Sequence, residues 1–365
     1  MVRLLVGVLS ALVLLFLIWL AWPARVDPAF WDEPEPPALT GALEPRGRLA
    51  EAELIRHEAM EFSEDVAIGA DGAVYAGQPD GSLLRLRDAG DSWEADTVAT
   101  LTDKPVLGLR FGPDGRLYAA ASDALYAVDV ESGSVEVLTR QGGSHPLGFA
   151  DDLDIGPDGT VYFTEASWKF ANPGGHEISY HLDMAENRPY GELLAWDPAS
   201  GETRLLVDEL YFANGVAMAS DNRSVFFIET YRYRLSRYWL EGPRAGEVEI
   251  VAENLPGIPD GVSSDGEGRL YIAMDTQRAP VMRLLHRNPF LTRMITKLPE
   301  WVWLRPGEVR GFVLVTDEEG EYLDSYHDPD GRLGFIANVV PREGELWIGS
   351  LTEGVIGRFT PPQGG

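Results

Sequence analysis

Six stretches of this chain repeat one pattern, and that repetition limits the possible folds more than any other feature. An apolar run broken by a polar residue leads into a tight turn. A second run, rich in β-branched and aromatic side chains, leaves it. The copies are Glu64–Tyr75, Leu107–Tyr118, Asp151–Tyr162, Phe212–Glu229, Asp260–Tyr271 and a weaker Ile336–Trp347 that turns at Glu343-Gly344. Each reads as two antiparallel strands joined by a short turn. Landmark aromatics fall at Tyr75, Tyr118, Tyr162, Phe226, Tyr271 and Trp347, at intervals of 43, 44, 64, 45 and 76 residues. A period in the forties with several short strands per unit is the signature of propeller blades. Second hairpins fit between landmarks, as at Ala124–Asp129 and Ser134–Leu138. A β-sandwich is the competing architecture, and the regular turn argues against it. The two long intervals are read as insertions, so the expected fold is all-β, a six-bladed β-propeller.

Pseudo-symmetry then points to a site. Equal offsets in each repeat mean equal distances from the axis, and the start of the first hairpin strand lies nearest the central channel. Eleven residues before each landmark stand Glu64, Leu107, Asp151, Asp260 and Ile336, with Asn214 twelve before Phe226 because its turn is one residue longer. Four oxygen-bearing side chains are therefore expected to converge on the axis. Glu64, Asp151, Asn214 and Asp260 make an all-oxygen donor set without sulfur or imidazole. Such a set suits Ca²⁺, with Mg²⁺ or Mn²⁺ as alternatives. Asp and Asn at strand starts often bond only to local backbone, and Asp154 and Asp158 are expected to do just that. Three carboxylates at one radius would repel one another without a cation.

The flanks have their own logic. Residues 4–22 are 19 uncharged, almost wholly apolar positions, close to the roughly 20 needed to cross a bilayer. The run ends in Trp19, Leu20, Trp22 and Pro23 without a small-residue cleavage pattern, which favours an uncleaved single-pass transmembrane helix over a cleaved signal. Arg3 and Arg25 flank it almost evenly. The downstream domain is placed on the non-cytoplasmic side (periplasmic, lumenal or extracellular), after the usual course of such segments. Residues 1–22 thus form an anchor, 23–45 a Pro-rich acidic linker, and 46–361 the propeller.

The first insertion, 165–190, is polar and carries His176 and His181. The second, 278–306, holds five arginines, Lys297, His286 and a single acid, Glu300, among large apolar residues. In a chain of net charge −28, this basic, aromatic island fits either helical turns packed on a blade edge or an amphipathic segment on anionic lipid. The overall charge argues against a nucleic-acid partner. The absence of cysteine excludes disulfides and thiolate metal sites, and six scattered histidines show no zinc spacing.

Phe212-Ala-Asn-Gly-Val216, the run Glu229–Pro243 and Asn254-Leu-Pro-Gly-Ile-Pro-Asp260 together resemble the strictosidine synthase-like family, the group that includes the adipocyte plasma membrane-associated protein. Tyr162–Ser167, Asn288-Pro-Phe290 and Ser325–Gly331 add to the match, which covers about residues 45–361. The resemblance implies a six-bladed propeller, often behind an N-terminal anchor. More distantly the chain is similar to paraoxonases, gluconolactonases and diisopropylfluorophosphatases, which hold a catalytic Ca²⁺ in the tunnel. Carried over by position, the metal ligands of that group fall on Glu64, Asp151, Asn214 and Asp260. Three departures stand out: Asp151 replaces an Asn, Gly261 follows Asp260 where Asn is common, and the base of the plant condensing enzymes falls near Ala337. Neither Ala337 nor Asn338 ionises, which speaks against strictosidine-type condensation.

The resulting expectation is a calcium-dependent hydrolase of lactones or aryl esters. Asp151, Asp260 and His145 are the candidate catalytic residues. Asp151 or Glu64 would orient or deprotonate a water, with the ion as Lewis acid. Asp152 would support these ligands or hold a second ion. His145, six residues before Asp151, would act as base if it reaches the mouth, and a solvated loop histidine is the plainer reading. No G-x-S-x-G elbow supports a serine route. A binding propeller with a structural metal is the main rival, and a condensing enzyme the second.

Overall fold

The computed structural model describes residues 2–171, 179–304, 309–352 and 354–362. Six four-stranded antiparallel sheets form the predicted blades. The innermost strands are Val66–Ile68, Val106–Phe111, Ala150–Ile155, Ala213–Met218, Pro259–Ser264 and Ile336–Arg342, blades I to VI in order. Each packs against the next, and the sixth returns to the first, so the ring is closed. The weak sixth repeat is a true hairpin: Glu343 and Gly344 have φ of 52° and 82°, the left-handed pair that a two-residue hairpin turn needs.

The landmark aromatics explain how the blades adhere. All six are buried on second strands. Tyr75 packs with blade II, Tyr118 with blade III, Tyr162 with blade IV, Phe226 with blade V, Tyr271 with blade VI and Trp347 with blade I. The repeat is therefore the record of one interblade contact made six times. Closure uses a device the repeat does not show. The outer strand of blade VI comes from upstream of blade I, with Glu53–Arg56 pairing antiparallel to Val355–Phe359.

Both long intervals are insertions between the second and third strands of a blade, in III and V. In an up-and-down sheet that connection lies at the end where the inner strand begins. Both insertions therefore overhang the predicted site. Besides α1 (Val2–Ala21), the helices are α2 (Ser179–Glu186) in the first insertion and α3 (Pro280–His286), α4 (Pro289–Ile295) and α5 (Glu300–Trp303) in the second. Met282, Leu285 and Trp303 are buried against Phe149, Leu182, Met184 and Tyr231. The packed-edge reading of 278–306 thus holds for its inner face. His176 and Arg305 lie outside the described residues.

Residues 23–45 are not the loose linker that their composition predicts. They form a strap bound across α2 and α3. Ala29 N–H donates to Glu186 O at 2.9 Å and Trp31 N–H to His286 O at 3.1 Å. Glu33 is 2% exposed and pairs with buried His286 at 2.9 Å. The strap's acids also explain the basic island. Arg283 pairs with Glu35, Arg287 with Asp32 and Arg293 with Asp27, so these charges bind protein rather than stand free for anionic lipid. α1 is long and apolar enough to cross a membrane.

Candidate functional site

A cavity of about 460 Å³ opens at the insertion end of the propeller, and Glu64, Leu107, Asp151, Asn214 and Asp260 all line it. Five of the six residues chosen by repeat offset are thus brought together. Ile336 is buried beside the cavity-lining Phe335. Local backbone explains their aim. In blades II to VI the pairing of the first and second strands slips by a residue around the site position, as between Ala150 and Leu153, Ala213 and Val216, and Pro259 and Val262. A bulge of this kind turns a side chain off the sheet face, here toward the axis.

The residue after each site position closes the ring. A Cβ on Gly215 would lie 2.2 Å from Val262 N, and one on Gly108 would lie 2.8 Å from Asp151 O. Adjacent inner strands touch there, and only glycine fits. Where an aspartate stands there instead, it clasps the next blade. Asp65 accepts from Leu109 N–H at 2.8 Å, and Asp152 from Val216 N–H at 2.9 Å. Asp152 is thus an interblade clasp beside the site. Asp158 bonds locally to Thr160 N–H, as expected, but Asp154 also accepts from Met218 N–H across the interface. Asn214 is held from behind by Thr164 Oγ, which donates to its carbonyl at 2.8 Å.

The electrostatics are one-sided. Asp151, Asn214 and Asp260 are under 9% exposed, and Glu64 is half-buried. Burial pushes the carboxyls of Glu64, Asp151 and Asp260 well above the usual range, and their mutual repulsion adds to it. Glu64 and Asp151 share a hydrogen bond, and the Asn214 amide donates to Asp260. Among the described residues no group of three His, Cys, Asp or Glu side chains is arranged to hold a metal ion. The side chains instead pair off, as carboxyls must when no cation compensates them. Hard oxygen donors carrying surplus negative charge in a partly closed cavity are chemically suited to a divalent ion with flexible coordination.

The structure does not bring His145 to this site. Its ring stacks on Trp168, with centroids 4.3 Å apart, and it does not line the cavity. His181 on α2 lines it instead. Its Nδ1 is sealed from solvent and has no hydrogen-bond partner among the described residues, and burial lowers its pKa to about 4. Asp275 also lines the cavity, with Oδ1 sealed and likewise unpartnered, and burial pushes its carboxyl up to about 7. Repeat reasoning had a route to Asp275. Four residues after the landmarks stand Pro79, Ser122, Ala166, Thr230, Asp275 and Leu351. Four of these six line the cavity, and Asp275 is their only ionisable member. His181 has no such signal, because α2 belongs to no repeat. Ala337 and Asn338 do not line the cavity; Asn338 accepts from Val339 N–H at 2.8 Å.

The molecule is therefore a six-bladed propeller with oxygen donors on its axis and a roofed apolar vestibule above them. Profiles of the strictosidine synthase family and of the strictosidine synthase-like N-terminal region match residues 151–243 and 41–86. The chain is 31% identical over 318 residues to strictosidine synthase-like 13 of Arabidopsis thaliana, covering 79% of this chain and 75% of that protein. It is 29% identical over 358 residues to the adipocyte plasma membrane-associated protein of Rattus norvegicus, covering 92% and 93%. It belongs to the strictosidine synthase-like family. Among solved structures, a gluconolactonase from Xanthomonas campestris shares the fold at a TM-score of 0.61 and 18% identity, covering 93% of this chain and 99% of that one. A calcium-binding regucalcin from Agrobacterium tumefaciens does so at 0.56 and 16%, covering 82% and 90%.

Proposed function

We propose that the protein is a membrane-anchored, calcium-dependent hydrolase of lactones or aryl esters. The carrying observation is the convergence of Glu64, Asp151, Asn214 and Asp260 at the base of a vestibule walled by Phe149, Phe212, Tyr231 and Met282. The propellers that share its fold include a gluconolactonase and a calcium-binding protein, which supports extending both properties to this chain. The plasma membrane association in the rat relative's name supports reading α1 as an anchor rather than a cleaved signal.

In this reading Glu64, Asp151, Asn214 and Asp260 hold the ion. When bound, it supplies Lewis-acid stabilisation to an oxyanion. The apolar wall binds the substrate's hydrocarbon part and excludes water from all but the carboxylate end. Asp275, which lines the cavity, takes the proton from an attacking water on its carboxylate, with a pKa near the working pH as efficient proton transfer requires. His181, neutral at that pH, presents its imidazole to substrate or water as a hydrogen-bond partner. In this reading Asp275 and His181 take the proton-handling role that the sequence suggests for Asp151, Glu64 or His145, while Asp151 and Asp260 serve as ligands.

The test is turnover of phenyl acetate and a γ-lactone by the chelated full-length protein as Ca²⁺ is restored, beside Asp260→Ala and Asn214→Ala. Activity that returns with the metal and is lost in both variants is expected. A metal-induced rise in melting temperature without turnover of any ester or lactone would move the assignment to a binding propeller.

A further inference from the structure

The second insertion has two faces, and only one is accounted for by the propeller. Its inner face carries Ala279, Met282 and Leu304 into the wall of the vestibule. Its outer face leaves large apolar side chains in the open. Phe290 is 70% exposed and Trp301 78%, with Leu284, Leu291 and Val302 exposed beside them in sequence. Monomeric proteins rarely leave such a face bare without a use for it.

Its neighbour in space identifies the use. The Lys297 ammonium, just after α4, donates to the carbonyl oxygens of Trp19 and Leu20, both at 3.1 Å. These carbonyls belong to the last turn of α1, where a cation is favoured. Lys297 also lies over the Trp19 ring at 5.6 Å, and Arg293 pairs with Asp27 a few residues on. The end of an apolar helix of spanning length is thus bolted to the insertion. Where that helix leaves the hydrocarbon, the insertion must lie in the interfacial layer, the zone that large aromatic residues favour. Trp22 and Phe30, each 66% exposed, extend the same apolar character along the chain between anchor and strap.

We infer that the outer face of residues 284–302 is seated in the interface of the bilayer that α1 crosses, which holds the vestibule mouth against the membrane surface. The contact is apolar rather than electrostatic. Arg283, Arg287 and Arg293 are matched to Glu35, Asp32 and Asp27 of the strap, so the face has little free charge with which to select anionic lipid. Seating therefore occurs on neutral lipid and persists in high salt. This inference rests on the reading of α1 as an anchor and is independent of the hydrolase activity.

The absence of cysteine makes the test direct. Full-length Phe290→Cys and Trp301→Cys proteins, each labelled with a polarity-sensitive fluorophore, are reconstituted into phosphatidylcholine vesicles containing bromolipid. Val137→Cys, at a position 46% exposed on the outer strand of blade II, is the reference. Labels at 290 and 301 are expected to be blue-shifted and several-fold more quenched than the label at 137, equally at low and high salt. Labels at 290 and 301 that behave like 137 would overturn the inference. So would quenching that needs phosphatidylserine or vanishes with salt, since the contact would then be electrostatic. A blue shift that follows protein concentration and ignores the bromolipid would assign the face to a second copy of the chain, and that too would overturn it.

Discussion

Replacing Asp275 by Asn should make the protein more stable and less active, in opposite directions from one cause. Burial raises this carboxyl from 3.8 to about 7. Three units correspond to about 4 kcal/mol between the protonated and ionised forms in the folded state. Because the folded value is the higher one, the associated stability is present below pH ~4 and is lost as pH climbs to about 7. Asparagine copies the protonated form and cannot ionise. The variant should therefore match the parent near pH 4 and exceed it by about 4 kcal/mol near pH 8, measured by urea unfolding without metal. Hydrolysis should fall by about 10²–10⁴-fold, and the acid limb of the pH–rate profile near 7 should disappear. A stability gap that does not change with pH would show that Oδ1 is not sealed as described. An unaltered pH–rate profile would remove Asp275 from proton transfer.

Three further outcomes follow from the same geometry. Without metal, the melting temperature should fall as pH rises above the ordinary carboxylate range, because Glu64, Asp151 and Asp260 are held above that range by burial and must ionise in place. Calcium should flatten that slope, and equal slopes with calcium and with chelator in scanning calorimetry would refute the account of surplus charge. Gly215→Ala should lose about 3 kcal/mol, since its Cβ would meet the backbone of Val262 and Gly261; denaturant unfolding decides, and a loss no larger than that of Gly156→Ala, where the nearest atom is in the Asp158 side chain at 3.1 Å, would contradict the strand contact. Ile55→Ala, in the strand that completes blade VI, should cost about 3 kcal/mol and make the first sixty or so residues accessible to protease; an unchanged digestion pattern would show that this closure does not hold the ring.

What was legible in the sequence and what was not divide along one physical line. Glu64, Asp151, Asn214 and Asp260 were legible because each sits at the same place in a repeated hairpin, so a single offset found all four. The bulges that aim Asp151, Asn214 and Asp260 leave that offset intact apart from the one residue added by Asn214's longer turn. Asp275 obeys a second offset, four residues past the landmark, and went unread because its equivalents Pro79, Ser122, Ala166, Thr230 and Leu351 do not share its chemistry. His181 and the strap obey no offset. Their positions depend on contacts between stretches that no period relates, such as Asp32 with Arg287 or Glu33 with His286. The sequence shows an acidic segment and a basic one, each with a sufficient explanation of its own, as linker and as lipid-binding surface. Only their pairing reveals that they answer one another. The consequence is functional: the repeats build the floor of the cavity, while its roof and its bond to α1 come from the parts that break the repeat. Variation that changes substrate range without touching the axial donors should therefore fall in α2, the insertion of blade V and the strap. In the floor, by contrast, each glycine and each carboxylate is tied to the blade beside it.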